Sequence, residues 1–429
     1  MVKRLDARER TASEIVAELR PGGGFLSAKV RDAARGIVED VRDRGDEALL
    51  EYTERFDGVR PDPIRVGEEE IRYSRGLLPA ELEESFRVAI QNVRAFHERE
   101  LDRSWEIERD GATLGQRVRP LRRIGIYVPG GHGAYPSTLM MTAIPAQVAG
   151  VGKICVCAPP GPDGRVSRWV LAVAGLLSLE EIHAVGGAQA IGAMAYGTES
   201  IPPVQKVAGP GNDYVTAAKL EVFGAVGVDA PQGPSEVVVI ADSSAIPERV
   251  ARDLLAQAEH LSGASATLLT PDTELLESTA PLLDGRAAEL VTLVLVRTLE
   301  QAVEISNLYA PEHAHVISEN SEALRREIAA AGLVAVGDAS PVALADYGAG
   351  PSHALPTGGA AAWASALGTR DFTARTNYIR FTPAALGALG PHVERLARLE
   401  GFENHAQSVG VRLRGGRDSV DWYPVRADR

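Results

Sequence analysis

The chain has 429 residues, which is long enough for two or three domains and a large hydrophobic core. Hydrophobic residues make up 45% of it and charged residues 24%, a composition typical of a globular protein and not of a disordered, collagenous or coiled-coil chain. Its 58 acidic residues exceed the 45 basic residues by 13, which argues against binding to nucleic acid or an anionic membrane and favours a small-molecule ligand.

Two cysteines, Cys155 and Cys157, are too few for a disulfide framework, so we expect a cytoplasmic protein. Their spacing of two predicts that both thiols lie on one buried face of a strand rather than in a metal or redox site. The first residues lack the apolar segment of a secretory signal, and the longest nearly unbroken apolar run, 169–179, is shorter than the roughly 20 residues of a membrane helix. We therefore expect a soluble protein.

The apolar residues of 31–103 recur three and four positions apart and predict a helical scaffold. From Ile124 to about residue 340, short apolar runs end at glycine or proline and are followed by amphipathic helices, which predicts an α/β fold with parallel sheets. These runs are IGIYV, KICVCA, EIHAVGG, VQKVAGPGN, EVVVIAD, ATLLTPD, AHVISEN and LVAVGD. Eight candidate strands favour two α/β lobes over one. After about residue 371 the strand pattern fades, and the tail predicts helices that pack on a partner subunit or fold back as a cap.

Three loops resemble phosphate-binding or nucleotide-binding loops, because each follows a predicted strand and opens a helix. They contain Tyr127 in YVPGGHGAYPST, Gln189 in VGGAQAIG and Asn212 in VAGPGNDY. Neither G-x-G-x-x-G nor G-x-x-x-x-G-K-[ST] occurs in the chain, so a dinucleotide would bind without the usual fingerprint.

Four pairs of residues are candidates for chemistry. Gln257 and His260 lie three apart on a predicted helix and are either two ligands of one metal ion or a helix cap. Glu312 and His313 lie between a predicted helix and a strand, and they offer two proton acceptors of different basicity, although adjacent Glu-His also arises by chance.

Asp346 and His353 lie in the glycine-rich stretch LADYGAGPSHALPTGG, which predicts either a functional loop or a turn capped by Asp346. Glu400 and His405 lie in LEGFENH of the helical tail and, taken alone, read as a solvated helix end.

Seven motifs occur together and in order along most of the chain, from about residue 30 to 410. They are YVPGG, GPGN, GPSEV, AQAEH, APEH, ADYGAGPSH and LEGFENH. In this combination the sequence resembles the histidinol dehydrogenase family of NAD-dependent zinc enzymes. The resemblance implies an oxidoreductase of histidine biosynthesis that converts L-histidinol to L-histidine through the aldehyde in two successive oxidations.

The resemblance also implies the site residues. One Zn²⁺ per subunit would be held by the positions that match the family's ligands, namely Gln257, His260, Asp346 and His405. Glu312 and His313 match the catalytic pair, and Tyr127, Gln189 and Asn212 match positions that contact NAD. Substrate contacts are implied for Ser235, His353 and Glu400 and also for Gln257, His260, Glu312, His313, Asp346 and His405.

The implied architecture is two Rossmann-like lobes with parallel sheets, plus small, mainly helical terminal domains that intertwine in a homodimer. Residues 21–123 and 237–369 would form the lobe with the metal and catalytic residues, and 124–236 the NAD-binding lobe. Residues 1–20 and 370–429 would form the dimerisation region. Glu400 and His405 would reach into the partner's site, so that each active site is shared.

The implied chemistry assigns the alcohol proton to His313, which assists again in the second oxidation, and water activation on the aldehyde to Glu312. Three alternatives remain. The first is a related zinc- and NAD-dependent dehydrogenase of another polar alcohol such as sulfopropanediol. The second is a zinc hydrolase, and the third is a binding protein without turnover. Ser352 and Gln232 depart from the family's usual Asn and Ala, and these departures concern the substrate pocket.

Overall fold

The computed structural model describes residues 2–20, 26–130, 133–260 and 263–415. The helices are α1 (Ala12–Leu19), α2 (Ala28–Arg44), α3 (Asp46–Asp57), α4 (Glu68–Gly76), α5 (Ala80–His97), α6 (Pro136–Val148), α7 (Arg168–Leu176), α8 (Gly187–Tyr196), α9 (Asp213–Val222), α10 (Pro247–Ala258), α11 (Thr273–Thr279), α12 (Leu299–Tyr309), α13 (Ser321–Glu327), α14 (Val342–Tyr347), α15 (Pro383–Leu399) and α16 (Glu403–Arg414).

The strands are β1 (Lys3–Asp6), β2 (Trp105–Arg109), β3 (Ala112–Pro120), β4 (Arg123–Tyr127), β5 (Lys153–Ala158), β6 (Glu181–Ala184), β7 (Lys206–Ala208), β8 (Gly227–Val228), β9 (Glu236–Ala241), β10 (Ser265–Thr270), β11 (Val291–Leu295), β12 (His313–Ile317), β13 (Leu333–Val336) and β14 (Thr373–Phe381). Within the described ranges, no helix combines the length and apolarity needed to cross a membrane.

The described chain divides into two compact units. The first comprises the described residues of 1–101 and 120–373, and the second those of 102–119 and 374–429. The predicted lobe boundaries remain a prediction, and the parts of the predicted regions at residues 21–25 and 416–429 lie outside the described residues.

The first unit contains a six-stranded sheet in the order β1-β11-β10-β9-β12-β13, in which every pair is parallel. The central strands β9 and β12 are buried along their whole length, as expected of a parallel sheet covered on both faces. Edge strand β1 is contributed by residues that the sequence analysis assigned to the terminal dimerisation region. Strand β11 was not predicted.

The same unit contains a second parallel sheet in the order β6-β5-β4-β7-β8. The chain moves outward from β4 to β5 and β6 and then returns to the other side of β4 with β7. A crevice opens at the carboxyl ends of strands where the order reverses in this way, and ligands of α/β proteins bind there. The prediction of two lobes with parallel sheets is therefore confirmed.

The predicted helical scaffold is confirmed as α2, α3, α4 and α5. Helix α2 begins after Ser27, whose hydroxyl accepts a hydrogen bond from the N–H of Val30, and it buries Ala34, Val38 and Val41. Its buried residues belong to the same hydrophobic cluster as Cys155 and Cys157 of β5. Both thiols are free and fully buried, as predicted.

The second unit contains the helices predicted for the tail and also a sheet that was not predicted. It contains a three-stranded sheet in the order β14-β3-β2, with β2 and β3 antiparallel, in addition to α15 and α16. All five residues of β2 are exposed, and so are six of the nine residues of β14. Strands with so few buried side chains lack the apolar alternation by which strands are recognised. Helix α15 begins at Pro383, after the N-cap Thr382.

Candidate functional site

Glu312 and His313 occupy the junction between α12 and β12, where the sequence analysis expected them. Both are buried. Oε2 of Glu312 accepts a hydrogen bond of 2.9 Å from the main-chain N–H of Glu236 and one of 3.4 Å from Nε2 of Gln257. Ser235 and Glu312 each immediately precede a strand, β9 and β12. This cluster therefore lies at the amino ends of parallel strands.

The imidazole of His313 lies between two carboxylates. Its Nδ1 is 3.5 Å from Oε2 of Glu312, and its Nε2 is 3.6 Å from Oδ1 of Asp346. Burial alone would lower the pKa of His313, but the negative charge of Glu312 and the contact with Asp346 outweigh burial and raise that pKa to about 10. Both ring nitrogens are buried without a hydrogen-bond partner in the described residues. Such an arrangement suits a group that exchanges protons with a ligand.

Asp346 and His353, which lie in one glycine-rich stretch, are in contact. Asp346 belongs to the short helix α14, not to an irregular loop as predicted, and its carbonyl oxygen accepts a hydrogen bond of 2.8 Å from Nδ1 of His353. Burial would raise the pKa of Asp346, but interaction with His313 and the charges of His353 and His260 lower it. Burial also lowers the pKa of His353.

Gln257 and His260 differ in their surroundings. Gln257 lies in the last turn of α10 and is buried against Glu312. His260 lies two residues beyond the end of that helix and is exposed, so the predicted common helix face is wrong. His260 nevertheless acts on the same cluster, because its charge contributes to lowering the pKa of Asp346. Gln257 therefore contacts the cluster directly, and His260 influences it through its charge.

Ser235 is half-buried, and its carbonyl oxygen accepts a hydrogen bond of 2.9 Å from the main-chain N–H of Ser265. Glu400 and His405 belong to the second unit. Glu400 follows the last residue of α15 and His405 lies in α16, and both side chains are exposed. The ring of His405 contacts the ring of Phe402 with a centroid distance of 5.3 Å.

Tyr127, Gln189 and Asn212 line one cavity of about 1620 Å³ at the carboxyl ends of the five-stranded sheet. Tyr127 ends β4, and its hydroxyl accepts a hydrogen bond of 3.1 Å from the N–H of Gly187. Burial raises the pKa of Tyr127 to about 12. Gln189 is fully buried, and neither its amide nitrogen nor its amide oxygen has a hydrogen-bond partner in the described part of the chain.

The loop that carries Asn212 is held in place by a buried ion pair. Asn212 is the N-cap of α9, and Lys219 of that helix pairs with Asp229. Asp229 accepts a hydrogen bond of 2.7 Å from the N–H of Gly209, and Lys219 donates one of 3.1 Å to the carbonyl of Gly209. Only glycine fits position 209, because a Cβ there would lie 2.1 Å from the carbonyl oxygen of Tyr127.

The cavity and the Glu312 cluster are separate features of the first unit. No residue of that cluster lines the cavity. The structure thus brings the predicted NAD contacts together in one place, and Gln257, Glu312, His313, Asp346 and His353 in another.

A further set of potential metal ligands occurs elsewhere in the described residues. The ligand atoms of Cys155, Glu181 and His183 lie within 4.8 Å of one another. Glu181 already forms a two-pronged ion pair with Arg123, with one N–O distance of 2.7 Å. Burial would raise the pKa of Glu181, but hydrogen bonds from His183 and Arg123 outweigh burial and lower it to about 2. The negative charge of Glu181 is consequently balanced by Arg123 and His183 without a metal ion.

The sequence analysis missed Glu236, whose main chain holds Glu312. Its carboxylate is buried, accepts hydrogen bonds from Arg20 at 2.8 Å and from the N–H of Gly358 at 3.1 Å, and lies beside the hydroxyl of Tyr309 at 3.2 Å. Burial raises the pKa of Glu236. Glu236 lies in the GPSEV motif, from which only Ser235 was predicted to be a site residue.

Two parallel sheets, a cavity at the carboxyl ends of one and a buried Glu-His-Asp cluster on the other define an α/β protein with a ligand-binding crevice and a separate polar site. The family model described as Histidinol dehydrogenase matches residues 25–413, and the chain belongs to this family. The resemblance noted in the sequence is thereby confirmed, and the chain is an oxidoreductase.

Relatives of known name agree with this assignment. The chain is 46% identical over 400 residues to the histidinol dehydrogenase of Geobacillus kaustophilus (strain HTA426), covering 90% of this chain and 94% of the relative. It is 42% identical over 398 residues to that of Bacillus subtilis (strain 168), with coverage of 90% and 93%. The crystal structure of histidinol dehydrogenase from Elizabethkingia anophelis superposes with a TM-score of 0.90 at 34% identity, covering 96% of this chain and 98% of that one. These comparisons do not favour a dehydrogenase of another polar alcohol.

Proposed function

We propose that the enzyme oxidises L-histidinol to L-histidine through the aldehyde, using NAD and one Zn²⁺ per subunit. The observation that carries this proposal is the buried His313, flanked by Glu312 and Asp346 within 3.6 Å. Two successive oxidations need a proton acceptor for the alcohol and another for the water that attacks the aldehyde. Adjacent Glu312 and His313 supply both.

The residues present fit a zinc ion. Nitrogen and oxygen donors suit Zn²⁺, and Gln257 and Asp346 bring an amide and a carboxylate to one buried cluster, at 3.4 Å from Glu312 and 3.6 Å from His313. Gln257, His260 and Asp346 would hold the ion, together with His405. When bound, the ion would fix and polarise the polar end of the substrate. Ser235, His353 and Glu400 are proposed to contact the remainder of the substrate.

The cavity supports NAD binding through Tyr127, Gln189 and Asn212. Its volume exceeds the roughly 300–1,000 Å³ of common small-molecule sites, so it has room for a dinucleotide. The unpaired amide of Gln189 needs hydrogen-bond partners, which a polar ligand supplies. NAD would accept a hydride in each oxidation.

The proton transfers are assigned to atoms of this chain. His313 accepts the proton of the substrate hydroxyl in the first oxidation, for which it must be neutral; a Zn²⁺ held by Asp346 would offset the negative charge that raises the pKa of His313. Oε2 of Glu312 is held by Glu236 and Gln257, and we assign the activation of water to its other oxygen, Oε1. His313 then assists the second oxidation, in which the hydrated aldehyde loses its proton.

A homodimer with shared active sites is part of the proposal. Helices α15 and α16 and the turn between them expose a set of large apolar side chains, including Leu396, Leu399 and Phe402, and such surfaces in soluble proteins are covered by partners. Glu400 and His405 lie among them, so a second copy of the chain that covers this surface would receive both residues. We place the enzyme in the cytoplasm, where reducing conditions preserve the free thiols of Cys155 and Cys157.

The test is turnover of a panel of alcohols by the purified protein, followed by NADH absorbance with and without a metal chelator. Chelator-sensitive turnover of L-histidinol, and not of sulfopropanediol, is expected. Turnover of another alcohol alone would identify a related dehydrogenase. Hydrolysis without NAD, or zinc uptake with no turnover, would contradict the proposal.

A further inference from the structure

Asp57 is a charged residue whose position the fold does not explain. It is the last residue of α3 and is followed by Gly58 in the left-handed conformation (φ 76°). A carboxylate at the carboxyl end of a helix adds negative charge to the negative end of the helix dipole, where a cation would be stabilising. Asp57 therefore does not serve the stability of α3.

The carboxylate of Asp57 also lacks partners. Its Oδ2 is cut off from solvent without a hydrogen bond in the described residues, and no ion pair to its side chain is found there. Burial raises its pKa to about 6. Asp40 and Asp43, which line the same cavity, are paired with Arg44 at 2.9 Å and Arg42 at 3.1 Å. Partly buried carboxylates without donors are costly, and they are concentrated at ligand sites.

Asp57 lines the cavity together with Tyr127, Gln189 and Asn212. It lies close enough to Tyr127 that its charge, after burial, contributes to raising the pKa of the Tyr127 hydroxyl. Tyr127 ends the central strand of the five-stranded sheet, so Asp57 faces the end of the sheet where the cofactor is proposed to bind. A carboxylate in such a crevice accepts hydrogen bonds from the vicinal hydroxyls of a ribose.

We propose that Asp57 binds the ribose hydroxyls of the dinucleotide and makes the cavity select NAD over NADP, an inference that rests on the proposed function. The ribose diol supplies the two donors that the carboxylate lacks. A 2′-phosphate would remove one of these donors and place its own negative charge against Asp57.

The test compares the binding of NADH and NADPH to the full-length wild type, to Asp57→Asn and to Glu54→Gln, by fluorescence titration. Glu54 lies on the same helix, is exposed, and is absent from the cavity lining, so its variant controls for the loss of one negative charge. Wild type and Glu54→Gln are expected to bind NADH much more tightly than NADPH. Asp57→Asn is expected to bind NADH about tenfold more weakly and to lose most of the discrimination.

The proposal is overturned if Asp57→Asn keeps both the wild-type affinity for NADH and the wild-type ratio of NADH to NADPH affinity. Wild-type protein that binds neither nucleotide would instead overturn the proposed function, and this inference with it. Asp57→Glu, which keeps the charge but moves it by one methylene, is the second variant. It is expected to bind NADH more weakly than the wild type while still discriminating against NADPH. If Asp57→Glu loses the discrimination as completely as Asp57→Asn, the role of charge is contradicted.

Discussion

The main-chain N–H of Glu236 donates a hydrogen bond of 2.9 Å to Oε2 of Glu312. Nε2 of Gln257 approaches the same oxygen at 3.4 Å, and among the described residues no protein group donates to Oε1. The two oxygens of this carboxylate consequently differ, one being fixed by the protein and the other available to a water molecule.

Glu312→Gln should separate the two oxidations, because an amide cannot accept the proton of the attacking water. We expect the aldehyde step to slow by about 100-fold or more, with a much smaller effect on the alcohol step. His313→Ala should slow both steps. Each step is measured separately by supplying the alcohol or the aldehyde and following NADH. Equal losses in both steps of Glu312→Gln would contradict the assignment.

Zinc should be lost when a proposed ligand is removed. Gln257→Ala is expected to weaken zinc retention by about tenfold or more, measured as metal per chain after dialysis against a weak chelator. Cys155→Ser is the matched control, because it changes the second set of potential ligands. It should retain wild-type zinc. Loss of zinc from Cys155→Ser with full retention by Gln257→Ala would move the metal site to β5 and β6.

Asp57→Asn should stabilise the fold in a pH-dependent way. The pKa of Asp57 is raised from 3.8 to about 6, so the folded state disfavours the charged form, and its penalty develops as pH rises from about 4 to 6. Removing the charge should therefore increase the free energy of unfolding at pH 8 and have little effect at pH 4. Urea unfolding at both values, with Glu54→Gln as control, measures this. A destabilised Asp57→Asn at pH 8 would contradict the description of an uncompensated carboxylate.

Shared active sites predict complementation between inactive chains. Asp346→Asn and His405→Ala should each be inactive as homodimers. In a heterodimer, one site would combine the intact Asp346 of one chain with the intact His405 of the other and restore about half of the wild-type activity. Differently tagged chains allow the heterodimer to be purified and assayed. If His405 serves its own chain, each site of the heterodimer keeps one defect and no activity returns.

The sequence predicted the parts of the fold that are apolar and continuous. Strands such as β5 and β9 are buried along nearly their whole length, and β5 ends directly before Pro159, so their residues are recognisable without tertiary information. Strand β14 was missed, because most of its side chains are exposed and its pairing with β3 depends on residues more than 250 positions away.

The site also contains residues that local sequence indicates and residues that only the tertiary structure reveals. Glu312 and His313 could be recognised from their adjacency at a helix-strand junction. The hydrogen bond between His353 and the carbonyl of Asp346 could not, since it depends on where α14 ends. Asp57 was unrecognisable for a different reason. A charged side chain at a helix end is ordinarily exposed to solvent. Only the tertiary structure reveals that Oδ2 of Asp57 is buried without a hydrogen-bond donor among the described residues.

The number of NADH molecules formed per molecule of L-histidinol consumed distinguishes a two-step oxidation from a single one. We expect two NADH per L-histidinol, with L-histidine as the product and loss of the NADH absorbance when zinc is removed. One NADH with accumulation of the aldehyde, or no NADH at all, would contradict this expectation.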